Sequence, residues 1–348
     1  MKLKFLIIIA FLFVIACKQE RKNAQSDHVF LSKNLSFKED SRIFHLQSGK
    51  FKYEFKIDQI PFKRVIFLNS SLLGYISEIG AENAIIGVSS PEYIYSEKLK
   101  NLITQGKIQN IGNEQKYNVE KIISLKPDAV FTNYIASFDN TYQLLKNNGI
   151  QVIFLDEYNE QKPLEKSAYL KLFGKLFGKS EVAEQKYAEI EKNYNQLKHL
   201  ALQSQSKPSV LANEMYGDIW YLSGGKTFIA HCISDANAEY ILKNNTDEKA
   251  VTMSFEEVFA KSGKTQYWVN AGNHLSKQEL LNINPYYGKL DVFRKGKIYG
   301  VTAKERQKSN DFFESGAVRA DLILKDYIKI FHPELLPEYK LTYMKELR

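Results

Sequence analysis

The stretch from Lys162 to Gln205 limits the folds open to this chain more than any other. Val182, Lys186, Ile190, Tyr194 and Leu197 recur at steps of three or four, while Glu181, Glu184, Glu189, Glu191 and Lys192 fall mostly elsewhere, which is a helical period. Gly174 and Gly178 punctuate the first half. The spacing predicts a shorter helix from Leu164 to Phe177 and a long one from Glu181 to about Ala201, roughly 30 Å at 1.5 Å per residue. A strut of that length would span two small lobes, one on either side in sequence. Two surface helices within one large α/β domain would show the same period, and the pattern alone does not choose between these arrangements.

At 348 residues, 44% hydrophobic and 25% charged, the chain is long enough to bury two separate cores. Lys2 and Lys4 precede an apolar run, Phe5 to Ala16, which is too short for an untilted membrane span and ends in Val14-Ile15-Ala16-Cys17. This resembles the bacterial lipoprotein signal. The resemblance implies removal of residues 1–16, diacylation of the Cys17 thiol, and a polar tether over residues 17–27 that carries a folded body at a membrane. Loss of Lys2 and Lys4 lowers the 48 basic side chains to 46 against 40 acidic ones, a net charge of +6. The excess is dispersed, and no arginine-rich run with interleaved aromatics appears, so nucleic acid is not an expected partner despite a pI near 9.0. The only other cysteine is Cys232, so no intramolecular disulfide is available once Cys17 is acylated, and its apolar neighbours predict a buried thiol.

Beyond the tether, residues 28–60 form an N-terminal extension. Strict alternation of Phe51, Tyr53, Phe55 and Ile57 with Lys52, Glu54 and Lys56, after a turn at Ser48-Gly49-Lys50, predicts a β-hairpin with residues 43–46. A first α/β lobe is expected over residues 61–160, with strands at 64–68, 84–88, 108–111, 129–132 and 151–155 separated by helices. That alternation implies a mainly parallel sheet covered on both faces. After the spine (161–205), residues 206–348 repeat the scheme, with strands at 208–212, 218–222, 266–270 and 297–301 and a closing helix from Gly316 to Phe331. An internal echo accompanies it: Asn118-Val119-Glu120-Lys121-Ile122 and Ser254-Phe255-Glu256-Glu257-Val258 each place a capping residue and a glutamate at a helix start. Each leads to a strand ending in asparagine, Asn133 or Asn270.

Over roughly residues 61–336 the chain resembles the substrate-binding lipoproteins of ABC importers for iron chelates (ferric siderophore or haem) and cobalamin. The resemblance is carried by residues 118–131, by Gly224-Gly225-Lys226-Thr227-Phe228-Ile229 and by Ser254-Phe255-Glu256-Glu257-Val258. Residues 310–316 and the tail through His332-Pro333-Glu334-Leu335-Leu336-Pro337 look like a subgroup common in Bacteroidetes. The resemblance implies two Rossmann-like lobes joined by a long backbone helix, no catalysis, no cofactor, and a metal chelate held between the lobes. It also implies an ABC permease dimer with its ATPase subunits as partner, and gives Glu120 and Glu256 the role of docking to permease arginines. Such glutamates also favour the positive end of a helix dipole, and both roles are compatible.

In a doubly wound lobe the ligand lies beyond the carboxyl ends of the strands. The candidates are therefore Ser70 and Ser71, Ser89 to Tyr93, Asn133 and Tyr134, and residues 156–158 in the first lobe. The second lobe offers Tyr216, Trp220, the 272–274 turn and the 302–313 loop with Arg306, Asn310 and Phe312. Aromatics among them suit a flat macrocycle or chelate, and Arg306 suits a carboxylate. Gly225-Lys226-Thr227 matches only the end of a phosphate-binding loop, since Trp220 stands where its first glycine belongs. The six histidines show no metal-ligand spacing, although His274 could face the cleft alone. Two other readings compete: an exported α/β enzyme acting on a metal chelate, and a lipoprotein partner of an outer-membrane receptor.

Overall fold

The computed structural model describes residues 28–348, so the signal, Cys17 and the tether lie outside the described residues. The first lobe is built on five parallel strands in the spatial order Gln151–Phe154, Ala129–Thr132, Val65–Phe67, Ile85–Val88, Gln109–Asn110. Its three central strands are buried at nearly every position because helices cover both faces of a parallel sheet. Val65, Phe67, Ala129, Phe131 and Ile153 point into one core, shared with the helix Ser71–Ile79 and the spine. Ile66, Val130, Val152 and Phe154 point into the opposite core, under the helices Val119–Leu125 and Asp139–Asn147. Gly80 ends the first helix in the left-handed region, at φ 67°, as a residue without Cβ can.

The second lobe orders its strands Glu239–Tyr240, Ser209–Ala212, Tyr267–Val269, Lys297–Gly300 and Lys345–Glu346. The first four are parallel and the last is antiparallel. The echo in sequence is matched in topology: each seven-residue helix, Val119–Leu125 or Phe255–Lys261, leads into the strand beside the first strand of its lobe. Asn118 caps the one through the amide of Lys121 (2.9 Å), and Ser254 forms a reciprocal capping box with Glu257 on the other.

Several expectations are refined. The N-terminal hairpin, Ile43–Ser48 with Phe51–Lys56, is the inner half of a four-stranded antiparallel sheet that also contains His28–Phe30 and Leu35–Glu39. Its Tyr53 hydroxyl accepts the amide of Phe154 at 2.8 Å and so covers the outer edge of the first lobe's sheet. Strand 218–222 is found as Ile219–Ser223 but belongs to a separate three-stranded antiparallel sheet with Met215–Tyr216 and Ala250–Met253.

The spine consists of Pro163–Ser167, Tyr169–Leu176 and the 22-residue helix Ser180–Ala201, about 33 Å long. The expected helix 164–177 is thus two pieces broken at Ala168. The long helix buries Ala183, Ile190, Tyr194 and Ala201, whereas Val182 is exposed. Its two ends serve different cores: Ala183 and Ile190 pack into the first lobe, Tyr194 and Ala201 into the second. Tyr194 donates to Asp235 of the second lobe at 2.7 Å, and Lys198 pairs with the same carboxylate.

Chain order and lobe membership part company near the end. Ala317 and Val318 bury into the first lobe's core, ahead of the helix Ala320–Phe331 that returns to the second. Gly74 permits this crossing, since a Cβ there would stand 2.2 Å from the carbonyl oxygen of Glu314.

Candidate functional site: a cleft between the lobes

The strand order of the first lobe reverses between Val65–Phe67 and Ala129–Thr132, so the loops leaving these strands diverge and open a crevice. Asn69, Ser71 and Asn133 stand at their carboxyl ends, and the segment 157–161 follows the next strand. Facing them from the second lobe are the helix start at Thr227–Phe228, residues 248–250, and Phe312 and Phe313. Together they enclose a cavity of about 810 Å³, within the range of small-molecule and cofactor sites.

Two carboxylates form part of the first-lobe wall, and each is surrounded by neutral donors. Glu157, only 1% exposed, accepts from the Ser71 hydroxyl at 2.6 Å and the Asn133 amide at 3.0 Å. Glu160 accepts from Ser32 at 2.6 Å, Tyr169 at 2.9 Å and Asn34 at 3.4 Å, two of these donors coming from the N-terminal extension. Burial nevertheless raises the pKa of Glu160, outweighing the hydrogen bonds that favour its charged form. Lys33, between those two donors, reaches across to Glu248 of the second lobe. The extension therefore braces one margin of the cleft. From the spine, Lys166 enters the cavity with its Nζ 5.3 Å from the ring centroid of Phe228.

Of the expected ligand contacts, the structure brings Ser71 and Phe312 to this cavity, with Ser70, Asn133 and Tyr158 beside them. The others lie elsewhere. Trp220 has no exposed surface; it packs on Trp268 and Tyr287, and its indole N–H donates to the Ala212 carbonyl, so it is a core residue. Arg306 pairs with Glu97 and stacks on Tyr95, both in the first lobe, which uses its charge in a contact between lobes. Asn310 is buried, donating to the Val301 carbonyl at 2.7 Å and accepting the Phe312 amide at 2.9 Å, so it shapes its own loop. Tyr216 is 82% exposed at the tip of an antiparallel hairpin, and Tyr93 is 46% exposed outside the cavity lining. Tyr134 packs against Phe51 and Phe154, under Lys50, with its hydroxyl donating to Asp139. His274 lies 2.6 Å from Glu214, whose carboxylate raises its pKa.

Sequence reasoning passed over Glu160, Lys166, Phe228 and Lys249, all of which line the cavity. None stands directly after a strand of either central sheet, so the rule that found Ser71 could not find them. Glu120 and Glu256 are both exposed, each in the first turn of its helix, and among the described residues neither makes an ion pair.

Comparison with known proteins gives this geometry a context. The chain is 22% identical over 315 residues to an uncharacterized lipoprotein of Methanocaldococcus jannaschii, covering 88% of this chain and 72% of the relative. The fold is shared with the periplasmic haem-binding protein HutB of Vibrio cholerae, with a TM-score of 0.61 and 14% identity over 78% of this chain and 99% of that one. It is shared also with the siderophore-binding protein FhuD of Vibrio cholerae, solved with Fe3+-Desferal, with a TM-score of 0.56 and 18% identity over 77% and 97%. At such identities the likeness establishes the fold alone. The family described as "Periplasmic binding protein" matches residues 65–305, from the first strand of the first lobe to the loop beyond the fourth strand of the second. By that match, and by two α/β lobes on a helical spine with a cleft between them, the chain belongs to the periplasmic binding protein family.

Proposed function

We propose that the protein is the extracytoplasmic substrate-binding component of an ABC importer, capturing an iron chelate, a ferric siderophore or haem, between its lobes and delivering it to a permease dimer. The observation that carries this reading is the cavity of about 810 Å³ at the first lobe's topological switch point, closed on its other side by the second lobe. A cavity walled by two lobes suits capture and release, because closing or opening it needs only small displacements at the spine. The iron and haem ligands named for the structural neighbours favour the same class. Glu120 and Glu256, one exposed carboxylate on each lobe, serve as docking charges for the two permease subunits in this reading. Acylation of Cys17 holds the body at the membrane; among the described residues no helix is long and apolar enough to cross one.

The test is intrinsic fluorescence titration of the soluble body, begun after Cys17, with haem, cyanocobalamin and several ferric chelates. Saturable quenching by an iron chelate or haem is expected. Binding of cyanocobalamin alone would transfer the assignment to cobalamin, and no binding by any of them would remove it.

A further inference from the structure

The lobes are tied together differently at the two margins of the first lobe's sheet. Towards the Gln109–Asn110 margin, the 305–314 segment is built into the first lobe. Arg306 pairs with Glu97 and stacks on Tyr95, Glu314 accepts the amides of Tyr95 and Ser96, and Ser309 accepts from Lys100 at 3.2 Å. At the opposite margin, beside Gln151–Phe154, three consecutive residues of the N-terminal extension make the connection. Ser32 and Asn34 hold Glu160, which belongs to the first-lobe wall of the cavity, and Lys33 between them pairs with Glu248 on the second-lobe wall. This extension lies outside residues 65–305, the stretch that matches the family.

Each end of the Lys33–Glu248 pair is fixed to its own lobe. The Ser32 hydroxyl accepts the amides of Asn34 and Leu35, both at 3.0 Å, while donating to Glu160 at 2.6 Å, and the Asn34 carbonyl accepts the amide of Gly49. Behind this turn, Leu35, Phe37, Phe44, Leu46 and Phe55 are buried in the first lobe's core, so the extension moves with that lobe. On the other side, the Asn245 side chain accepts the amides of Gly225 and Asp247, and the carbonyls of Asp247 and Lys249 accept those of Lys226 and Gly224. Glu248 is therefore carried on a loop pinned to the second lobe. Two charges mounted in this way separate when the lobes part and meet again when they close. With both side chains 54% exposed, the pair is weak enough to be made and broken reversibly.

We propose that the 31–34 turn is a strap across the cleft, seated on Glu160 and latched to the second lobe by Lys33 on Glu248, and that it biases the lobes towards the closed arrangement with or without a ligand. The strap deepens the capture reading above, on which it rests for its consequence: a ligand leaves when the lobes part, so the latch slows release. An exposed ion pair shifts such an equilibrium by about two- to fivefold. Opening is confined to this margin, because the contacts of the 305–314 segment at the other margin are partly buried. The N-terminal extension thereby acts on the cleft without lining it.

The test uses the soluble protein begun after Cys17, with spin labels at the exposed positions Gln143→Cys on the first lobe and Lys261→Cys on the second. Inter-lobe distance distributions are measured without ligand for the labelled parent, Lys33→Ala, Lys33→Glu and the charge swap Lys33→Glu/Glu248→Lys, with folding checked by thermal melting. Release of haem and of a ferric tris-hydroxamate is timed for the same set without labels. Lys33→Ala should raise the open population and the release rate about two- to fivefold, and Lys33→Glu should raise both further. The charge swap should return both towards the parent, which a merely local disturbance at residue 33 would not do. Distances and release that are the same in Lys33→Glu as in the parent, or a change that the charge swap does not reverse, overturn the strap and leave the capture reading standing. Distances that respond as expected while neither probe binds support the strap and count against capture of an iron chelate or haem.

Discussion

Glu314 offers a quantitative test of how the lobes are joined. It lies in the segment that leaves the second lobe's sheet, yet its carboxylate accepts the amides of Tyr95 (2.6 Å) and Ser96 (3.1 Å) at the start of the first-lobe helix Glu97–Thr104. Only 3% of the residue is exposed. Burial pushes its pKa up to about 7, against the two amides, which favour the charged form. An acid whose folded-state pKa is raised from 4.5 to about 7 favours the folded state fully below pH 4.5. That advantage is lost as pH rises through about 7 and is gone above it. At about 1.4 kcal/mol per pH unit, the difference between the two limits is on the order of 3 kcal/mol. Glu314→Gln keeps the shape and removes the titration, at the cost of facing one amide with an NH2 group, a penalty that does not depend on pH. Urea unfolding of both proteins from pH 4.5 to 8 is the assay, and the quantity followed is the stability of the variant minus that of wild type. It should rise by about 3 kcal/mol across the range, with other titrating groups cancelling in the difference. A flat difference, or one falling with pH, would refute the account of Glu314 as a buried acid that carries a cost when charged.

Two further predictions address docking and packing. Charge reversal of Glu120 and Glu256 together should abolish uptake in cells while leaving ligand titration of the purified protein unchanged; undiminished uptake would sink the docking role. Gly74→Ala should destabilise the fold by about 1–3 kcal/mol, read as a lowered melting temperature, because the new Cβ would displace the backbone at Glu314. The gain in helix propensity, up to about 1 kcal/mol, is too small to reverse the sign, and an unchanged or raised melting temperature would contradict the close approach.

Local patterns made much of the architecture legible. The strands Val65–Phe67 and Ala129–Thr132 are short apolar runs between helix signals, and such runs have few other ways to be buried. Caps at Asn118 and Ser254 act within one turn, so both helix starts could be read from four residues. Ser71 was found as a cleft residue because it follows a strand directly, which is a statement about chain order.

What depended on partners distant in sequence was not legible. Trp220 alternates properly within its strand, but which side of that strand is covered is decided by Trp268 and Tyr287, 48 and 67 residues away. Lys166 reads as one more polar position on a helix; only the second lobe's Phe228, folded over it, makes it part of a cavity. Arg306 was an attractive anion ligand until Glu97, more than 200 residues earlier, took its charge. The sequence by itself determined the strands, the helices and the strut between two α/β halves, because these follow from periodicity and from hydrogen bonds that close within a few residues. Only the tertiary structure decided which charges line the cleft and which are paired, because pairing and desolvation depend on what the other lobe brings within a few ångströms, and that distance is not written in either segment alone.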